Sequence, residues 1–133
     1  MTDPVAPPFA SHVHAAQARL ARIATEHAPS VFASSFGAED MVLLDLIARA
    51  GLPIRVFTLD TGRLPQETYD LIDRARAHYG RRIDVYLPRA NAVEAFVTEH
   101  GVNAFRGSID MRLRCCALRK REPLVRALAG AGR

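Results

Sequence analysis

The sequence predicts an α/β domain built on a parallel sheet, and three observations carry that expectation. Three short β-rich apolar runs, Val31 to Phe36, Pro53 to Leu59 and Ile83 to Leu87, are separated by helix-length amphipathic segments, the alternation that gives βαβ units with right-handed crossovers. The first two runs end in small, polar turns, at the strand ends where such sheets bind ligands. The chain has 133 residues, 49% hydrophobic and 24% charged, which suits one globular domain able to bury a core.

The elements follow in order. Met1 to Pro8 contains Asp3 and no basic cluster or long apolar run, so it reads as a frayed terminus. From Ala10 to His27, Val13, Leu20 and Ile23 recur among polar residues, the pattern of an amphipathic packing helix stopped before Pro29. Residues 1–29 are thus an arm and packing helix, ahead of an α/β domain over 30–133. Val31 to Phe36 leads through Ser34-Ser35-Phe36-Gly37 into a helix from Ala38 to Ala50, halted at Gly51. Pro53 to Leu59 closes with Asp60-Thr61-Gly62-Arg63, and Pro65 opens a helix reaching Tyr79. Pro88 ends the third strand, and Asn91 caps a helix that runs to His100 and stops at Gly101. The segment from Cys116 to Ala129 is helix-forming, with Pro123 either kinking it or beginning a second piece. No internal repeat or low-complexity linker interrupts the chain.

Charge and composition exclude several roles. The net charge of +4 permits nucleic-acid binding, but the basic residues are dispersed and aromatics make up only 7%, so no stacking platform exists. No stretch suits a membrane span. Two adjacent cysteines and no signal peptide point to a reducing cytoplasm rather than a secreted disulfide framework. His12, His14, His27, His78 and His100 are scattered, and no Ser-His-Asp or Cys-His arrangement can be nominated.

Three segments carry candidate chemistry. Ser34-Ser35-Phe36-Gly37-Ala38-Glu39-Asp40 joins a strand to a helix, so its amides and the helix dipole would face a phosphate-like group. The alternative is a plain turn capped by Ser34 or Ser35, with Glu39 and Asp40 as dipole partners. It lacks the Gly-Lys-Ser/Thr ending of a Walker loop. Leu59-Asp60-Thr61-Gly62-Arg63 offers a hydroxyl, a glycine and a guanidinium suited to an anion, and equally resembles a strand-ending turn.

The sharpest segment is Arg114-Cys115-Cys116-Ala117-Leu118-Arg119-Lys120, which holds both cysteines and the only lysine among eighteen basic residues. Seven cations between Arg106 and Arg126 face only Asp110 and Glu122, a field for a small anionic ligand. On a helix Cys116, Arg119 and Lys120 share a face, placing two cations beside a soft sulfur ligand. The lysine is either a chance survivor of an arginine-rich composition or a compact charge set beside an anion. The sulfurs are metal ligands, small core residues or a redox-labile pair.

Together these motifs, continuing through Glu122-Pro123-Leu124, resemble the assimilatory adenylyl-sulfate reductases, the iron-sulfur-bearing relatives of phosphoadenylyl-sulfate reductase. The likeness covers roughly Phe9 to Leu128. It implies a Rossmann-like adenine nucleotide alpha hydrolase (PP-loop) fold, three-layered with a parallel sheet. It further implies reduction of adenylyl sulfate to sulfite and AMP, with electrons from thioredoxin and a nucleophilic cysteine near the carboxyl terminus.

By resemblance Ser34, Gly37, Ala38, Glu39 and Asp40 line the nucleotide and phosphosulfate pocket, with Thr61, Gly62 and Arg63 opposite. Arg119 and Lys120 supply positive charge. Cys115 and Cys116 are two of four ligands to a [4Fe-4S] cluster. Against that family the chain reads as an amino-terminal half, without the later Cys-x-x-Cys pair and the nucleophile, and is expected to be inactive alone. It would act only when completed by a carboxyl-terminal half, and the exposed sheet edge left after its last strand would favour pairing with another chain, a homo-oligomer or that complementing half. The other readings are a non-catalytic nucleotide-binding remnant and an ATP sulfurylase-type adenylyltransferase, the latter disfavoured because activating sulfate needs no iron-sulfur ligands.

Overall fold

A computed structural model describes residues 7–130. Its sheet holds β1 (Ser30–Ala33), β2 (Ile54–Leu59) and β3 (Ile83–Tyr86), all parallel and in the order β1-β2-β3. Helix α2 (Ala38–Arg49) links the first two strands and α3 (Gln66–Tyr79) the next two. The parallel α/β architecture expected from the sequence is the one observed.

Alternation along the strands builds two apolar layers. Phe32, Val56 and Ile83 lie side by side in register and pack with Leu44 of α2 and with Ile72 and Ala75 of α3. Helix α1 (Pro7–Glu26) extends this layer, as Ala24 and Leu20 meet Ile47 and Ile54. Residues 7–26 therefore share the core of the α/β unit. On the opposite face Phe57 is fully buried and meets the Tyr86 ring edge-on, with centroids 5.8 Å apart. Helix α6 (Glu122–Ala129) covers that side, burying Pro123 and Ala127. Arg55 ties it down by donating to the Ala127 carbonyl and the Tyr86 hydroxyl. Helices on both faces make three layers.

Several boundaries differ from the sequence expectation. Pro7 and Pro8 stand in the first turn of α1 rather than in a frayed tail, because that turn needs no amide donor from them; residues 1–6 lie outside the described part. β1 stops at Ala33, and Phe36 leaves the strand with φ 62° to enter the core. Neither Ser34 nor Ser35 caps α2. Gly37 occupies the cap position without a side-chain bond, since both serine hydroxyls serve the loop. Helix α4 (Ala90–His100) begins one residue before Asn91, whose side chain accepts from the Ala92 amide instead of capping.

The largest difference precedes the cysteines. Helix α5 (Ile109–Cys116) follows a 3-10 turn over Ala104–Arg106, and Ser108 caps it by accepting from the Met111 amide at 3.1 Å. A wide π turn, Ala117–Arg121, then joins α5 to α6. Pro123 sits at the start of α6, where a proline is accommodated, so it begins a new segment.

Candidate functional site

Two cavities open at the carboxyl ends of the strands and share a wall. One, of about 320 Å³, lies over β1 and β2 and is lined by Ser34, Ser35, Thr58, Leu59, Leu64 and Leu124 among others. The second, of about 240 Å³, is lined by Arg63, Phe105, Arg112, Cys115, Cys116 and Arg119. Thr61 and Lys120 border both.

The loop after β1 is rigid for local reasons. Asp40 reaches back from the first turn of α2 to accept from the Ser35 amide at 2.6 Å and the Ser35 hydroxyl at 2.7 Å. The Ser34 hydroxyl accepts from the Phe36 amide at 3.1 Å, and that of Ser35 from the Gly37 amide at 3.2 Å. Phe36, driven into the core, pins the turn from beneath. The amides of Ser35, Phe36 and Gly37 thus have partners within the loop, whereas the first-turn amides of a helix have no intrahelical acceptor. Gly37, Ala38, Glu39 and Asp40 lie along that turn, outside the lining of either cavity, whereas Ser34 and Ser35 line the larger one.

The loop after β2 is held from three sides. The Asp60 carboxylate accepts from the Gly62 amide at 2.8 Å and from the Tyr69 hydroxyl at 2.6 Å; this bond raises the Tyr69 phenol above its ordinary value, with burial adding to it. The hydroxyl of Thr61, a buried residue, accepts from the Arg63 amide at 3.1 Å. Arg119 reaches from the π turn to donate Nη1 to the Thr61 carbonyl at 2.6 Å. Its buried Nε has no hydrogen-bond partner among the protein groups described. Gly62, at φ 77°, lies so close that a Cβ there would sit 3.2 Å from Arg119 Nη1. Arg63 donates to the Val102 carbonyl at 2.8 Å and Asn103 Oδ1 at 3.0 Å, and lies 4.6 Å from the centroid of the Phe105 ring.

Both cysteines are free thiols, Cys115 buried and Cys116 exposed. Their neighbours in the smaller cavity are four cations, Arg63, Arg112, Arg119 and Lys120, so anionic sulfur would find its counter-charge there. The π turn keeps Arg119 and Lys120 on the cysteine side, as such wide turns re-aim side chains at functional sites. No three His, Cys, Asp or Glu side chains gather into a metal-holding group among the described residues. None of the described helices is long and apolar enough to cross a membrane.

Sequence reasoning brought Ser34, Thr61, Arg63, Cys115, Cys116, Arg119 and Lys120 to these walls, and missed Phe105, Arg112, Leu64 and Leu124. Gly107-Ser108 followed by Asp110 is a helix-start signal that would have brought α5, and with it Arg112, into view. Phe105 and Leu64 carry no local signal, since only the folded chain brings them to the cavities, whereas Leu124 stands in the Glu122-Pro123-Leu124 motif and gains its place in the wall from the fold.

Residues 29–133 match the family described as the phosphoadenosine phosphosulfate reductase domain. A protein of Allochromatium vinosum named adenosine 5'-phosphosulfate reductase is 51% identical over 111 residues, covering 84% of this chain and 43% of the relative. One of the same name from Burkholderia cepacia is 48% identical over 126 residues, covering 95% of this chain and 50% of the relative. The crystal structure of phosphoadenylyl-sulfate reductase from Candida auris, in a phosphate complex, superposes with a TM-score of 0.68 at 25% identity. That alignment covers 99% of this chain and 66% of the other. The chain spans about half the length of the curated relatives it matches.

Proposed function

Since this chain belongs to the phosphoadenosine phosphosulfate reductase domain family, we propose that it forms the nucleotide cleft, and half of an iron-sulfur site, of an enzyme that reduces adenylyl sulfate to sulfite and AMP. The reductant is a dithiol partner of the thioredoxin type, and the setting is sulfate assimilation in the cytoplasm. The single observation that carries the reading is the shared wall: Lys120, the only lysine in the chain, borders both the cleft over the strands and the cavity of the cysteines.

The larger cavity suits the nucleotide. Leu59, Leu64 and Leu124 offer apolar surface for a base, and Ser34, Ser35 and Thr58 offer hydroxyls for its polar parts. The anionic end then lies toward Thr61 and Lys120, whose ammonium can turn its three donors to a phosphate or sulfate oxygen. Arg119 serves from behind by holding the Thr61 carbonyl. Gly37, Ala38, Glu39 and Asp40 act through the first-turn amides of α2 and the loop they stiffen.

The cysteine cavity fits a soft, anionic metal group. Two thiols beneath four cations are the donors a [4Fe-4S] cluster requires, and two are half of what it requires. When bound, the cluster supplies polarisable negative charge beside Lys120. With Cys115 and Cys116 so committed, the 133 residues hold no further cysteine to attack sulfur, and the chain by itself releases no sulfite.

Isothermal calorimetry on the 133-residue chain tests this. Lys120→Ala should weaken adenylyl sulfate by about tenfold or more, the worth of a lost charge-assisted contact, while changing AMP affinity less. Equal loss for both ligands, or sulfite release by the unmodified chain, would overturn the assignment.

A further inference from the structure

The proposed reading gives the cysteine cavity a purpose but leaves open what keeps it in shape. Its walls come from distant parts of the sequence. The loop after β2 supplies Thr61 and Arg63, the 3-10 turn supplies Phe105, and α5 with the π turn supplies the rest. Between residues 60–64 and residues 101–107, both hydrogen bonds seen among the described residues are donated by Arg63. They span 39 and 40 positions, to Val102 and Asn103. The same guanidinium lies over the Phe105 ring at 4.6 Å, a cation–π contact.

We propose that Arg63 is a positioning residue: its guanidinium fork clamps the 102–105 segment to the loop after β2 and so holds in shape the wall that covers Cys115. Three features support this. Nη1 and Nη2 each donate to an uncharged oxygen of the protein, which fixes the plane and direction of the fork while each nitrogen keeps a second N–H. The acceptors and the ring surround one planar group, an arrangement that a lysine ammonium cannot reproduce. The clamped segment leads through Gly107 directly into the Ser108 cap of α5, and α5 packs against the 3-10 turn, so loosening the segment frees the helix that ends in Cys115 and Cys116. Arg119 holds the other side of the loop, which leaves Arg63 as the tie on this side.

The inference rests on the proposed function only for the meaning of the cavity, and its test needs neither cluster nor substrate. Alkylation of the full 133-residue chain by iodoacetamide, read site by site by mass spectrometry, should find Cys116 fast and Cys115 protected. Arg63→Ala should accelerate Cys115 by about tenfold, through local opening, while Cys116 and the thermal midpoint change little. Arg63→Lys should restore less than half of the protection. Should Arg63→Ala fail to fold, Phe105→Leu gives the same reading by removing the stacking face, and should accelerate Cys115 by about threefold.

Unchanged Cys115 protection in whichever of these variants folds, full rescue by lysine, or equal rates at the two cysteines of the unmodified chain would overturn the clamp. If Cys115 opens as expected while the chain proves unable to bind adenylyl sulfate, the clamp stands and the functional reading falls.

Discussion

Gly62 offers a measurable account of how the loop after β2 meets the π turn. It has φ 77° and leaves only 3.2 Å between a would-be Cβ and Arg119 Nη1. Gly51 has φ 60° with nothing within 4 Å, so it isolates the backbone effect. Placing alanine in the left-handed region costs about 1–2 kcal/mol, and Gly51→Ala should show that alone. Gly62→Ala must also displace a guanidinium anchored at 2.6 Å to the Thr61 carbonyl. The shift asked of the guanidinium is only a few tenths of an ångström, so the full worth of a charge-assisted bond, about 1.5–3 kcal/mol, is the ceiling of the added cost.

Urea unfolding followed by circular dichroism separates the two terms. With a slope of about 2 kcal/mol per molar, the Gly62 variant should unfold earlier than the Gly51 variant by up to about 1.5 M. In an Arg119→Ala background the excess should vanish, as the pair is coupled through one contact. Equal costs for the two glycines would show that the approach of Arg119 contributes nothing to holding this loop.

Two further expectations concern groups flanking the site. Hydrogen bonding from Arg126, opposed by burial and aided by Arg89, holds the Glu122 carboxyl below its ordinary value. A depressed carboxylate contributes stability above its unfolded value, about 4.3, and loses it as the pH falls through its folded value. Glu122→Gln should therefore flatten the acid limb of the stability curve below about pH 5 and leave its slope near neutrality unchanged; an unaltered acid limb would refute the coupling of Glu122 to Arg126 and Arg89. Asp40→Ala removes Oδ2, the one oxygen that accepts both bonds from Ser35, and should weaken AMP binding about fivefold through loss of loop order, an exposed-site effect of about 1 kcal/mol. Asp40→Asn can keep a neutral amide oxygen where Oδ2 accepts both bonds and loses only the charge, so it should weaken binding less than Asp40→Ala; calorimetry showing wild-type affinity for both variants would remove Asp40 from the loop's support.

The strand and helix pattern was legible because it is written in local periodicity. Ile54, Val56 and Thr58 alternate with Arg55, Phe57 and Leu59, and that period determines which side chains meet α2 and α3 whatever the rest of the chain does. The candidate loops were legible for a related reason, since parallel strands must end at one edge and whatever follows them gathers there. Cysteines next to arginine and lysine marked that segment as a candidate for sulfur chemistry while leaving metal ligation, core packing and redox pairing open, and the family resemblance followed from that run together with the two loops.

Tertiary structure alone decided how those parts meet. The course of the chain from Ala104 to Arg121 depends on a 3-10 turn, an eight-residue helix and a π turn, each too short for a periodic signal. The side to which Arg119 and Lys120 turn depends on that wide turn, and the partners of Arg63 lie about 40 positions away along the chain. Nearest-neighbour propensity cannot encode such distances. They are fixed when α6 buries Pro123 and Ala127 against the sheet, because only then are the cations, the thiols and the loop after β2 brought within reach of one another.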